Sequence, residues 1–236
     1  MLLAAFLSSI IGGLSGQGTG LILPVFLAPV VGIANVIPVM SITALMTNLS
    51  RLVVFWREID LPKAARVLAG AVPGALLGAY AFTGLNTRWI AFGLGGFLIL
   101  SIPLRRFLTR ARYTLEGPGL TAAGTGFGLL AGGMTGSGLV LLSILMAGGV
   151  HGSPLIASDA AVSTIVNIIK MAVFGSANLI DARLAIAGAL IGLFTMPGAF
   201  VARWLMKKLS LRIHGVIMEA VIFCGGVSLL WRALQT

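Results

Sequence analysis

Apolar runs close to twenty residues long recur along the whole chain, and no other feature restricts the possible folds so strongly. A helix rising about 1.5 Å per residue needs roughly 20 apolar residues to cross a ~30 Å hydrocarbon core. Charge clusters, prolines and turn residues divide the 236 residues into eight such stretches: Leu2 to Val31, Val36 to Phe55, Ala64 to Phe82, Trp89 to Leu104, Gly119 to Gly149, Pro154 to Ala177, Leu184 to Met206, and Ile213 to Trp231. Charged residues make up only 9% of the chain, against about 25% in a soluble globular domain. The expected architecture is therefore an all-α membrane protein, a polytopic helical bundle with the lipid bilayer as its solvent. All four tryptophans, Trp56, Trp89, Trp204 and Trp231, fall at the ends of stretches, where an amphipathic ring prefers the headgroup level.

The formal charge of +10 would suggest nucleic acid in a soluble protein. Here most Lys and Arg stand in short connections between apolar stretches and act as topology signals, so nucleic acid is not an expected partner. Cys224 is the only cysteine; no intrachain disulfide or cysteine metal cluster can form, and Cys224 reads as a small core residue. The start, Met1-Leu2-Leu3-Ala4-Ala5-Phe6, lacks a basic region, and its apolar run outlasts a signal peptide. It reads as part of the first membrane element.

The two halves of the chain are related. Gly12-Gly13-Leu14-Ser15-Gly16-Gln17-Gly18 returns as Gly132-Gly133-Met134-Thr135-Gly136-Ser137-Gly138. The stretch from Thr47-Asn48 through Arg51 to Phe55 returns as Val166-Asn167 through Lys170 to Phe174, and Pro73-Gly74-Ala75 returns as Pro197-Gly198-Ala199. Three matches in one order point to an internal duplication, with 1–104 as the first membrane repeat, 105–118 as a basic linker and 119–236 as the second repeat. If all eight stretches cross the membrane, the basic residues outside it split nine to five between the two sides. If stretches 1 and 5, broken at their glycines, enter and return on one face, the split becomes eleven to three, with only Arg88, Arg183 and Arg232 opposite the linker. The positive-inside rule favours the second arrangement. It gives an odd number of crossings per half, and so inverted repeats with a substrate site near the midplane.

Two sets of residues can carry chemistry. In the Gly-rich breaks, five of the nine residues from Gly12 to Gly20 are glycine, and each interior Gly costs a helix roughly 1 kcal/mol relative to Ala. An unwound stretch offers backbone N–H groups beside a new helix N-terminus, a cradle for an anion. Gly16, Gln17, Gly18, Thr19 and Gly20 would build it in one half, and Gly136, Ser137 and Gly138 in the other. The competing reading is close helix packing by small residues. The second set is Arg51 and Lys170, each near the end of an otherwise apolar stretch; each either faces the bundle interior beside a partner or snorkels to the interface. Asp159, Ser163, Asn167 and Lys170 share one arc of roughly 80°, and Thr43, Thr47, Ser50 and Arg51, with Asn48 at the edge, form the matching stripe. The two stripes are expected to face each other. Asp159 is either a carboxylate that carries a coupling proton or a first-turn acid facing the helix dipole. Glu219 is a second proton-carrier candidate. No Ser-His-Asp, Cys-His or zinc constellation is present, so no enzyme activity and no cofactor or metal is expected.

The Gly-rich segment Gly12 to Gly20 running into Leu21-Ile22-Leu23-Pro24, the Ser/Thr-bearing helix after it, and the second copy around Gly132 to Gly138 together resemble the sulfite exporter TauE/SafE family of permeases. The resemblance implies transport of sulfite, sulfonates, sulfoacetate or related compounds across the bacterial cytoplasmic (inner) membrane. It assigns Gly16, Gly18, Gly20, Gly136 and Gly138 to the family's Gly-rich motif. Gln17, Thr19 and Ser137 interrupt glycines that are often consecutive in the family. Two cations, two N–H-rich breaks and one acid on the stripes also suit a small anionic substrate. An anion channel, or a membrane scaffold without transport, are the competing classes, and self-association into a homo-oligomer stays open.

Overall fold

The structure, a computed structural model, describes residues 19–110, 114–206 and 211–235. Over these residues the chain forms α1 (Thr19–Val31), α2 (Ile33–Phe55), a 3₁₀ turn (Trp56–Glu58), α3 (Leu61–Thr83), α4 (Thr87–Arg110), α5 (Pro118–Gly133), α6 (Gly138–Ala147), α7 (Ser153–Ser176), α8 (Ala182–Met206) and α9 (Leu211–Gln235). No strand occurs among the described residues. Among the described residues, four helices are long and apolar enough to cross a membrane: α2 with its 3₁₀ turn, α3, the Thr87–Leu104 part of α4, and α7. Helices α8 and α9 run for 25 residues each, with apolar stretches at Ala182–Thr195 and Ile222–Trp231. Large apolar side chains such as Leu77, Tyr80, Leu100, Leu193 and Trp231 are exposed on the outside. Lipid is the medium that removes the cost of such a surface.

Helix starts are set by local chemistry at matching places along the chain. Gly32 and Gly152 precede α2 and α7 with φ of 81° and 68°, a left-handed conformation that only glycine adopts without strain. Asp60 caps α3 by accepting the Lys63 N–H at 3.2 Å, and Asp181 accepts the Leu184 N–H at 2.7 Å in the first turn of α8. A side-chain carboxylate there satisfies one of the orphan donors of the first turn.

The apolar stretch from Gly119 to Gly149 is not one helix. It runs through α5, breaks at residues 134–137 and returns as α6. The Leu115 N–H, just ahead of α5, donates to the Ala147 carbonyl at the end of α6 at 2.8 Å. Both ends of this hairpin thus lie at one level, as expected of a segment that enters and leaves on one face. The first-half break up to Gly18 lies outside the described residues.

Pairwise contacts fix helix directions. Helices α3 and α5 run parallel, with Val67, Ala71 and Ala75 beside Gly124, Gly128 and Gly132. Helices α3 and α7 also run parallel: the Asp60 N–H donates to Ser158 Oγ at one end, and Phe82 meets Phe174 at the other, with ring centroids 5.2 Å apart. Helices α2 and α8 run parallel through Ile42 with Gly188 and Met46 with Gly192. By contrast α2 opposes α7, since Arg51 meets Asp159 while Asn35 lies beside Asn178. Helix α4 opposes α9, with Gly95 against Leu230 and Ile99 against Gly226.

The α3–α5 contact is the closest in the bundle. A Cβ added at Gly128 would strike the Ala71 carbonyl, and one at Gly74 the Thr125 carbonyl. Backbones meet here without side chains between them, the small-residue contact that holds helices together where no hydrophobic effect does. Gly126, on the same helix, faces open space. Gly128→Ala is therefore expected to destabilise the protein by about 1–3 kcal/mol through overpacking, whereas Gly126→Ala should be neutral or stabilising by up to about 1 kcal/mol through helix propensity. Thermal unfolding of both variants in detergent measures the difference.

Candidate functional site

The break between α5 and α6 ends one helix and starts another inside the bundle, with Thr135 and Ser137 buried. Gly136 makes the turn at φ 82°, where any side chain would be strained and would also collide with Leu21. Gly132 and Gly133 instead pack against α3 at Ala75, Gly78 and Ala79. The second motif therefore divides its work, with its first two glycines packing and Gly136 turning the chain. Gly20, at the end of the first motif, lies against Gly136, with an added Cβ only 3.1 Å from Gly136 Cα. Thr135 Oγ1 donates to the Gly20 carbonyl at 3.2 Å. The two Gly-rich motifs, far apart in sequence, thus meet.

Helix α7 brings a cation to this junction. Lys170 is 4% exposed, and its Nζ donates to the Met134 carbonyl at 3.0 Å. Met134 is the C-cap of α5, where the carbonyl ends of the helix carry partial negative charge. A lysine there satisfies an orphan carbonyl and offsets the dipole. Ser137 is the N-cap of α6, and no side chain caps that end. The Val140 N–H donates to the Ser137 carbonyl at 2.9 Å, and the first turn of α6 carries the partial positive charge of a helix N-terminus. Thr135, Ser137 and Lys170 are all less than a tenth exposed, so the junction is closed to solvent in this conformation.

Arg51 lies elsewhere, at the linker end of α2. Its Nη2 meets Asp159 Oδ2 at 3.0 Å, and its Nη1 donates to Asn48 Oδ1 at 3.3 Å. Asp159 is 1% exposed and Arg51 31%. Helix α7 begins at Ser153 and has no acid in its first turn, which corrects the first-turn reading of Asp159. Burial and the guanidinium, rather than the helix dipole, surround this carboxylate.

The polar stripes face each other only in part. On α7, Asp159, Asn167 and Lys170 are buried and Ser163 is half-buried, as the shared arc requires. Asn167 Nδ2 donates to the Ser163 carbonyl at 2.8 Å, within its own helix. On α2, Arg51 reaches α7 and Asn48 bonds only to Arg51 in its own helix among the described contacts, while Thr43 donates to the Gly188 carbonyl of α8 at 3.0 Å. Thr47 donates to the Thr43 and Ala44 carbonyls of its own turn. Glu219 is half-buried on α9, which packs chiefly on α4 and α1. Gly138 opens α6, and Thr19 opens α1. Gly16, Gln17 and Gly18 lie outside the described residues. Cys224 is exposed and lines an apolar cavity of about 370 Å³ with Val25, Ala220, Gly225 and Ser228, which corrects its reading as a core residue. Among the described residues no group of three or more His, Cys, Asp and Glu could hold a metal ion.

The sequence reading missed the Met134 carbonyl, the partner that brings Lys170 to the break. It also missed the Asp60–Asp181 and Gly32–Gly152 matches, which stand at equivalent places in the two halves and were available as further repeat signals. Comparison with known proteins gives one finding: the sequence profile described as Sulfite exporter TauE/SafE matches residues 1–229. No curated protein and no solved structure matches the chain.

Proposed function

The chain belongs to the sulfite exporter TauE/SafE family, and from that premise we propose that it is a permease for a small sulfur-containing anion, such as sulfite, a sulfonate or sulfoacetate, in the bacterial cytoplasmic membrane. The observation that carries this reading is Lys170, a buried cation held on the broken end of α5 beside the uncapped start of α6. A positive charge and the N–H dipoles of a helix N-terminus in a low-dielectric site attract an anion far more strongly than they would in water. Gly20, Gly136, Ser137, Gly138 and Lys170 form the binding junction, and Gly16, Gln17, Gly18 and Thr19 complete it from the first motif. Ser163, Asn167, Thr47 and Asn48 line the approach, with Arg51 at its linker end. Asp159 is the better candidate to carry a coupling proton, because it stands on the same stripe as Lys170; Glu219 is the lesser. A closed junction also favours a carrier over an open channel.

The same reading arranges the chain as two inverted halves. Antiparallel pairing of α2 with α7 and of α4 with α9 supports it, because each pair joins equivalent helices of the two repeats. The exchanged contacts α2–α8 and α3–α7 support it too. The linker side is then cytoplasmic by the positive-inside rule.

Two outcomes test this reading. In a Cys224→Ser background, single cysteines placed at Lys63, in the linker and at Lys207 should label only from the cytoplasm, and one at Arg88 only from outside. Labelling of the Lys207 position from outside contradicts the inverted arrangement. In proteoliposomes the chain should catalyse saturable counterflow of at least one sulfur oxyanion or sulfonate in preference to carboxylates. Lys170→Met should weaken its apparent affinity by about a hundredfold, the order expected for loss of one charge-assisted contact, while Lys170→Arg retains part of it. Wild-type affinity in Lys170→Met contradicts the assignment.

A further inference from the structure

A cavity of about 440 Å³ lies at the end of the bundle opposite the linker, between the turn that joins α1 to α2 and the turn that joins α7 to α8. That volume falls within the roughly 300–1,000 Å³ of small-molecule sites. Its polar lining comes from four side chains, Asn35, Asn178, Asp181 and Arg183, and the remainder, including Val31 and Leu184, is apolar. One acid and one base make the lining neutral as a whole.

The two related halves differ here in a way that leaves both charges over. Asp60 and Asp181 hold the same place ahead of α3 and α8, and each spends one carboxylate oxygen on the N–H three residues further on. In the first half that residue is Lys63, whose Nζ lies 3.4 Å from Asp60 Oδ2, so the second oxygen is neutralised as well. In the second half the same position is Leu184. Among the described residues, Asp181 Oδ2 then has no cation and Arg183 has no carboxylate. Asn35 spends its Nδ2 on the Val31 carbonyl at 2.8 Å, which leaves its Oδ1 to accept. Asn178, at φ 55°, bonds the Gly175 carbonyl through its backbone N–H, which leaves its side-chain amide with both donors and an acceptor.

We propose that this cavity binds a small zwitterion, a sulfonate that also carries a protonated amine, on the membrane face opposite the linker. The Arg183 guanidinium donates to the sulfonate oxygens, a charge-assisted contact. Asp181 Oδ2 and Asn35 Oδ1 accept from the ammonium group, which takes the place that Lys63 fills in the first half. A ligand with an anion at each end would set one of them against Asp181, and a sulfonate without an amine would leave that carboxylate oxygen unmatched. The sulfonate head rests on the transport reading above. The site itself is separate from the junction: α7 runs on from Lys170 to Ser176, about 9 Å at 1.5 Å per residue, and the buried Phe174, packed on Phe82, stands one turn beyond Lys170. The cavity therefore holds its ligand outside the closed junction, on the side away from the linker.

The test is a ligand-observed NMR titration of the detergent-solubilised full chain with aminoethanesulfonate, ethanesulfonate and β-aminopropanoate. Wild type should bind aminoethanesulfonate about tenfold more tightly than ethanesulfonate, the order of one charge-assisted contact, and at least as tightly as β-aminopropanoate. Asp181→Asn keeps a capping oxygen for α8 while removing the charge, so it should bind the two sulfonates equally. Arg183→Gln, at an exposed position, should weaken both by about tenfold. Lys170→Met, which alters the junction alone, should keep both the affinity and the preference for the amine. A preference that survives in Asp181→Asn, an unchanged affinity in Arg183→Gln, or tighter binding of β-aminopropanoate overturns the assignment. Binding lost in Lys170→Met puts the ligand at the junction, which upholds the transport reading and overturns the cavity site. Absence of binding to wild type overturns the cavity site alone if sulfite counterflow persists in proteoliposomes, and together with the transport reading if no sulfur anion is moved.

Discussion

Hydrocarbon offers a backbone N–H or C=O no partner, so a helix that stops inside the membrane must have its ends satisfied by the protein itself. The rest of this structure can be read as the solution to that one demand. Helix α5 stops at Gly133 and α6 starts at Gly138, leaving carbonyls at one end and N–H groups at the other. The carbonyl end receives Lys170. The N–H end receives no side-chain cap, and it is there that the proposed reading places the anion.

Holding the hairpin in place takes the rest of the bundle. Helix α5 lies so close to α3 that backbone meets backbone along its length, and the Leu115–Ala147 bond returns α6 to the level where α5 began. The first motif contributes Gly20, whose added Cβ would lie 3.1 Å from Gly136 Cα, and Gly136 itself, at positive φ, would meet the Leu21 side chain. The two related cations have different surroundings. Lys170 sits on a helix end, while Arg51 sits on a carboxylate whose place in the first half is taken by Met40.

Much of this was legible from residue type and spacing. Helical membrane architecture followed from the apolar runs, and the return of α5 as α6 followed from glycine content and the charge count. The burial of Asp159, Asn167 and Lys170 followed from one shared helical arc. What spacing could not give was which polar groups join across helices. Thr43 lies on the same sequence stripe as Arg51, yet turns to α8, because a 3.6-residue period places a stripe on a helix but does not name the neighbour it faces. Asp159 read as a first-turn acid because it stands only five residues past Pro154; with α7 starting at Ser153 it falls beyond the first turn. Cys224 read as core because an apolar stretch in a membrane protein does not reveal which face meets lipid.

The central claim is that an anion binds to backbone N–H groups at the α5–α6 break, where the two Gly-rich motifs meet. Hydrogen–deuterium exchange on the detergent-solubilised chain, with and without saturating sulfite or sulfoacetate, measures those groups directly. The account predicts ligand-dependent protection concentrated at Thr135 to Leu139 and around Gly20 and Leu21, absent in Lys170→Met. Protection confined to other segments, or unchanged exchange across the break while the anion is bound, would contradict it.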